Sequence, residues 1–232
     1  MSESLSRSVK SSIDTWIAKL RKESPLVHAA ERGEIGPRAL AFYLESLRFM
    51  FVSSHASIRA AVLRADELQL TELAAYFRDK DAEEHGHDQW AASDLTQLPS
   101  QAVKGVQPAA ACRELVALQR ELIERHPLCF LAYSVWAEYL TASLGDEWLR
   151  LLSNCGYERS AVTAVSKHLE ADVEHAFEGF EALDRFWQGQ PDAAEIVAGV
   201  QRAARGFEAF CAEICEVERP VAVADVRLSL PT

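Results

Sequence analysis

Three stretches of the 232-residue chain place ionisable side chains where a helix should be apolar. Burying an unpaired charge is expensive, so such groups need a metal ion, a partner or a shifted pKa. The first stretch is 158–187. Val165, Leu169, Ala176 and Leu183 recur there at helical spacing, and His168, Asp172 and His175 follow the pattern His-x3-Asp-x2-His. At about 100° per residue, both histidines fall within roughly 60° of Asp172, so all three project one way along the edge of the core face. Two imidazoles and one carboxylate make half a site for a first-row metal such as iron or manganese. The plainer alternative is an exposed polar stripe shared with Lys167, Glu170 and Glu174.

The second stretch contains AEEHGHDQW, within 69–96. Leu73, Phe77, Ala91 and Leu95 define its inner face, centred near Glu84. His87 lies about 60° from Glu84, and His85 about 100° away on the other side. Glu84 and His87 therefore point inward, with Asp81 and Glu83 as further acids. The competing expectation is a salt-bridged Glu84 and a satisfied core histidine. The third stretch, LCFLAYSVWAEYLTASL at 128–144, is apolar nearly all round, and Glu138 is its only formally charged residue. A helix of this kind is central, and a lone carboxylate on it needs a reason. Its structural explanation would be a buried pair with Arg48 or Arg59. Together the three stretches supply Glu84, His87, Glu138, His168, Asp172 and His175. Three histidines and three carboxylates suit two iron ions with open positions for oxygen. A ferritin-like scaffold would need a second Glu-x2-His, and the long helices contain none.

The elements that must position these residues are helices. Only 10 glycines and 8 prolines interrupt the chain, which argues against an all-β fold. Helices are expected at about 7–23, 37–64, 69–96, 110–125, 128–144, 146–154, 158–187 and 191–217. Breaks fall at Ser24-Pro25, Gly36-Pro37, Pro99, His126-Pro127, Gly145, Gly156 and Pro220, with a loop over 97–110. The expectation is one all-α domain of seven to eight helices over 1–219, with a C-terminal tail at 220–232.

Charge and composition narrow the function. The 35 acidic residues exceed the 24 basic ones, for a net charge of −11, and no basic cluster stands out. Nucleic acid and anionic membrane are therefore not expected partners. The opening MSESLSRSVKSS lacks the apolar stretch of a secretory signal, and 128–144 is short for a membrane span. Five cysteines without a CxxC pair fit a reducing cytoplasm.

The order of these motifs resembles the heme-oxygenase-like diiron oxidases and oxygenases, and the resemblance covers most of the chain. SPLVHAAERGEIGPRALAFYLESL is similar to that family's N-terminal helix pair. EEHGHDQWAASDL is similar to its Glu…Gly-His…Trp…Asp-Leu segment, pointing to His87 as a ligand. AEYLTASLG is similar to its central helix, with Glu138 as the bridging acid. KHLEADVEH carries the most specific element, His168, Asp172 and His175. The resemblance implies a compact heme-oxygenase-like bundle, frequent homodimerisation, two Fe(II) ions and O2. It implies a small-molecule substrate, either an amine or guanidine that is N-oxygenated, or an amino acid or fatty acid that is cleaved at a C–C bond or desaturated. Family variation in the Glu-to-His spacing leaves Glu83 or Asp81 as substitutes for Glu84, and Glu45 as a further carboxylate.

Three readings compete. A heme oxygenase of the same fold would hold its iron through His28, and Leu144-Gly145-Asp146 faintly resembles the distal helix of those enzymes. That reading leaves Glu84, Glu138 and the last triad without a role. A metal-free thiaminase-like or quinone-cofactor enzyme would need a nucleophile such as Cys129 near Glu138. A non-catalytic helical binding protein would take up neither metal nor oxygen.

Overall fold

A computed structural model describes residues 4–217. Ten α-helices follow in order: α1 (Leu5–Glu23), α2 (Pro25–Glu31), α3 (Pro37–Glu67), α4 (Thr71–Glu83), α5 (His87–Thr96), α6 (Ser100–Val103), α7 (Ala110–Arg125), α8 (Pro127–Asn154), α9 (Thr163–Phe186) and α10 (Ala193–Val217). A single 3-10 turn, Arg159–Ala161, precedes α9. No strand occurs among the described residues, and none of their helices is long and apolar enough to cross a membrane. The tail expected at 220–232, like residues 218 and 219, lies outside them.

Several breaks follow the local chemistry that the sequence announces. Pro25, Pro37 and Pro127 each open a helix in its first turn, where the missing N–H costs nothing. The His126 ring Nδ1 accepts from Leu128 N at 3.1 Å and caps α8. Two expected boundaries move. The stretch 69–96 is two helices, because Gly86 adopts φ +90°, a left-handed conformation that ends helical propagation. Conversely, 128–144 and 146–154 are one helix running straight through Gly145. A Cβ at Gly145 would lie 2.8 Å from Leu169 Cδ1, so the missing side chain serves close packing of α8 on α9, not a turn. The helix expected from 158 starts at Thr163, α2 forms between the expected helices 7–23 and 37–64, and the loop at 97–110 contains the short α6.

The core explains the placement of the site. Helix α8 is the central element: it packs most extensively on α9 and also touches α1, α2, α3, α7 and α10. Its Leu128, Phe130, Leu131, Tyr133, Val135 and Trp136 are all buried. The apolar stripes anticipated for the flanking helices are buried as well, with Leu73 and Phe77 on α4, Ala91 and Leu95 on α5, and Val165, Leu169, Ala176 and Leu183 on α9. Burying a side chain of this kind is worth roughly 1.5–3 kcal/mol. Asp94 fixes the start of α9. It is fully buried and accepts from Thr163 Oγ1 at 2.6 Å and Ala164 N at 2.8 Å, which holds α9 against α5 one turn before His168.

Candidate metal centre

The six candidate donors come from the α4–α5 junction, α8 and α9. Glu84 and His87 do not share a helix, as the sequence spacing suggested. Glu84 closes α4 and His87 opens α5, on either side of the left-handed Gly86. The tight turn still brings them together: His87 Nδ1 lies 3.0 Å from Glu84 Oε2. His168 reaches the same place from α9. Glu84, His87 and His168 each offer a ligand atom within 4.8 Å of the others, so these three could hold a metal ion. Both rings are fixed by stacking. Trp90 lies on His87 at 4.2 Å and Phe51 on His168 at 4.3 Å between centroids. His168 Nδ1 also lies 3.0 Å from the Ala164 carbonyl oxygen. A carbonyl can only accept, so Nδ1 carries the proton and Nε2 is left as the ligand atom.

Glu138, Asp172 and His175 lie beside that group rather than in it. The Glu138 Oε2 is sealed from solvent and has no hydrogen-bond partner. Arg48 and Arg59, the cations that could have explained Glu138 structurally, are engaged elsewhere, on Glu45 and Asp81. Asp172 is buried and bonded by Thr141. His175 Nδ1 is 3.8 Å from Asp172 Oδ1, too far for a hydrogen bond, and has no partner, while its Nε2 is 3.4 Å from Glu83 Oε2. Gly179 lets α9 come this close to α8: a Cβ there would lie 2.5 Å from Val135 Cγ2 and 3.4 Å from Glu138 Oε2.

The other early acids are placed differently. Asp81 turns to His55 and Arg59, and Glu45 is held by two bonds to Arg48. Glu83 bridges to Lys80 at 2.7 Å as well as approaching His175. His85 is exposed and faces His55.

Electrostatics separates the carboxyls. Burial pushes Glu138 well above the ordinary carboxylate range, and the neighbouring Asp172 adds to this. Burial likewise pushes Asp172 up to about 8, aided by the charge of Glu84 and opposed by the Thr141 hydrogen bond. Burial acts on Glu84 in the same direction, but the bond from His87 and the surrounding imidazoles outweigh it, so this carboxyl stays below its usual value. Burial lowers His168 to about 4 despite the charge of Glu84. In the metal-free protein near neutral pH, Asp172 is therefore mostly an acid holding its proton and His168 is a neutral base, while Glu138 is shifted toward its protonated form. Buried carboxyls with no hydrogen-bonded cation are donors whose charge a bound divalent ion would neutralise. Glu84, His87 and His168 fit a divalent first-row ion, and Glu138 and His175 leave unpartnered atoms beside them.

Some contributors were not legible as site residues. Lys80 is buried on α4, where its amine is 2.7 Å from Glu83 and 2.9 Å from Glu178. Phe51 and Trp90 act through their rings. Only the depth of Lys80 on an otherwise apolar helical face could have marked it. The candidates for the competing readings sit poorly. His28 lies on α2 and does not line the cavity that holds Glu84, Glu138, His168 and Asp172. The Cys129 thiol is buried and pushed up to about 11, the reverse of an activated nucleophile.

No family model matches the sequence, and no curated protein matches it. Solved structures do. A domain of unknown function with a heme oxygenase-like fold from Shewanella denitrificans OS217 aligns with a TM-score of 0.78 at 18% identity, over 89% of this chain and 90% of that one. A CADD-like protein of unknown function from Nostoc punctiforme PCC 73102 aligns at 0.61 and 17% identity, over 88% and 96%. Likeness at such identities carries architecture and not activity. The chain has a heme-oxygenase-like fold.

Proposed function

We propose that this protein is a non-heme diiron enzyme that uses O2 to oxidise a small molecule. The observation that carries the reading is the convergence of Glu84, His87 and His168 within 4.8 Å beside the unpartnered Oε2 of Glu138. Glu84, His87 and His168 are the ligands of one ion, and Glu138, Asp172 and His175 are the donors for a second. When bound, two ferrous ions would supply the electrons that activate O2.

The chain's own groups do the rest. Phe51 and Trp90 hold the two ring ligands in orientation, as outer partners of metal ligands do. Glu138 and Asp172 would hold the cations and neutralise their charge, Asp172 losing its proton as it does so. Lys80 balances the excess of acids from Glu83 and Glu178 at the margin. Phe130, Tyr133 and Trp136 wall the cavity that Glu138 also lines and exclude water from it.

The test is oxygen uptake by the Fe(II)-loaded protein across a panel of small molecules. At least one should stimulate uptake, and His168→Ala and Glu138→Ala should abolish it while circular dichroism stays unchanged. Undiminished uptake in either folded variant would overturn the ligand assignment.

A further inference from the structure

The cavity that receives Glu84, Glu138, His168 and Asp172 has a volume of about 220 Å³ and a second wall whose polar atoms have no part in holding metal. Gln119 on α7 accepts from Ser57 Oγ at 2.6 Å and donates through Nε2 to the Tyr133 hydroxyl at 3.0 Å. All three residues are buried. With Gln119 as its donor, the Tyr133 hydroxyl keeps its own proton, for which no acceptor is found among the described residues. Trp136, nearly one turn further along α8, lines the same cavity and is 2% exposed, and its indole N–H has no partner. The Tyr133 and Trp136 rings are 5.4 Å apart. A buried donor left unpaired costs about 1–3 kcal/mol. Two of them in one cavity wall call for an acceptor that the chain does not supply.

The position and charge of that wall describe the missing partner. At 100° per residue, Tyr133 and Trp136 lie about 140–160° around α8 from Glu138, on the opposite flank of its cavity-facing side. Much of the remaining lining is apolar, including Phe77, Phe130, Leu115, Phe207 and Phe210. Lys80 is the one cation lining the cavity among the described residues, and its amine is taken by Glu83 and Glu178. A carboxylate against Tyr133 and Trp136 would be a buried charge without a counter-ion, which costs several kcal/mol. A neutral acceptor would incur no such cost.

We infer that the molecule this cavity takes is uncharged and largely apolar, with a carbonyl-type acceptor held by the Tyr133 hydroxyl and the Trp136 indole N–H. The end that reacts then lies on the Glu138 side. That last statement rests on the diiron reading, whereas the acceptor site stands without it.

The test uses the full-length metal-free protein and three probes of similar shape in titration calorimetry: acetophenone, isopropylbenzene and benzoate. Acetophenone should bind, and Tyr133→Phe or Trp136→Phe should each weaken it about 3- to 10-fold, the worth of one net hydrogen bond. Isopropylbenzene, which has no acceptor, should change less than about twofold in either variant. Benzoate should bind at least about tenfold more weakly than acetophenone to the unaltered chain. Equal losses for both neutral probes, benzoate as tight as acetophenone, or no binding by any probe would overturn the inference. Iron uptake by the same preparation is scored separately. No uptake sinks the diiron reading and leaves the probe results standing. Normal uptake without discrimination among the probes sinks the acceptor site alone.

Discussion

Raising the pH from 7 to 8.5 should destabilise the metal-free protein, and Asp172 should account for much of the loss. Its carboxyl is buried and pushed up from 3.8 to about 8. A folded-state value above the unfolded one means that the native chain holds a proton the unfolded chain has already lost. The stabilisation is therefore complete below the unfolded value and vanishes as pH rises through about 8. Between pH 7 and 8.5 the linkage relation gives a loss of about 1 kcal/mol from this group. Glu138, also raised, acts with the same sign. His168, lowered to about 4, has the opposite sign, but its effect falls between about 4 and 6.5, outside this window. For a chain of this size, 1 kcal/mol is about 2–4 °C in melting temperature. The assay is thermal unfolding of chelator-treated protein at the two pH values, beside Asp172→Asn, which cannot ionise. The natural chain should lose about 2–4 °C more than the variant. Equal slopes, or a melting temperature that rises with pH in the natural chain alone, would refute the electrostatic reading of the site.

Three further outcomes are expected. Loading divalent metal at pH 7 should release about one proton per chain from Asp172, whose carboxyl is pushed up to about 8, with Glu138 acting in the same direction; calorimetry in buffers of different ionisation enthalpy measures this, and zero release contradicts it. Gly179→Ala should cost about 1–3 kcal/mol, because the new methyl would meet Val135 Cγ2 at 2.5 Å; an unchanged denaturation midpoint would show that α8 and α9 separate freely. Asp94→Ala should cost about 2 kcal/mol by leaving Ala164 N and Thr163 Oγ1 without their buried acceptor, and urea unfolding should show it as a lower midpoint at an unchanged slope.

How much the sequence discloses depends on the range of the interaction. Apolar periodicity located α3, α7, α9 and α10 well, because each helix buries one stripe, and the same periodicity turned His168, Asp172 and His175 toward the centre. It also made Glu138 conspicuous, because a charge on an all-apolar helix has no local explanation. Gly86 and Gly145 were harder. A glycine can end a helix by adopting positive φ, as Gly86 does, or allow another helix to approach, as Gly145 does under Leu169. Only the packed neighbour distinguishes the two, so 69–96 was expected whole and 128–154 divided. Glu84 and His87 meet for a reason other than the one their spacing gave. A shared helical face and a tight turn both bring residues three apart into contact. Lys80, Phe51, and the Gln119–Tyr133 pair depend on contacts between distant segments, which no local pattern encodes.

The most direct test of the central claim is the iron content of the chain after anaerobic loading with Fe(II) and removal of loosely held metal. The account predicts close to two irons per chain, with Glu138→Ala and His168→Ala each retaining one or fewer. A natural chain that retains no iron while remaining folded would contradict it.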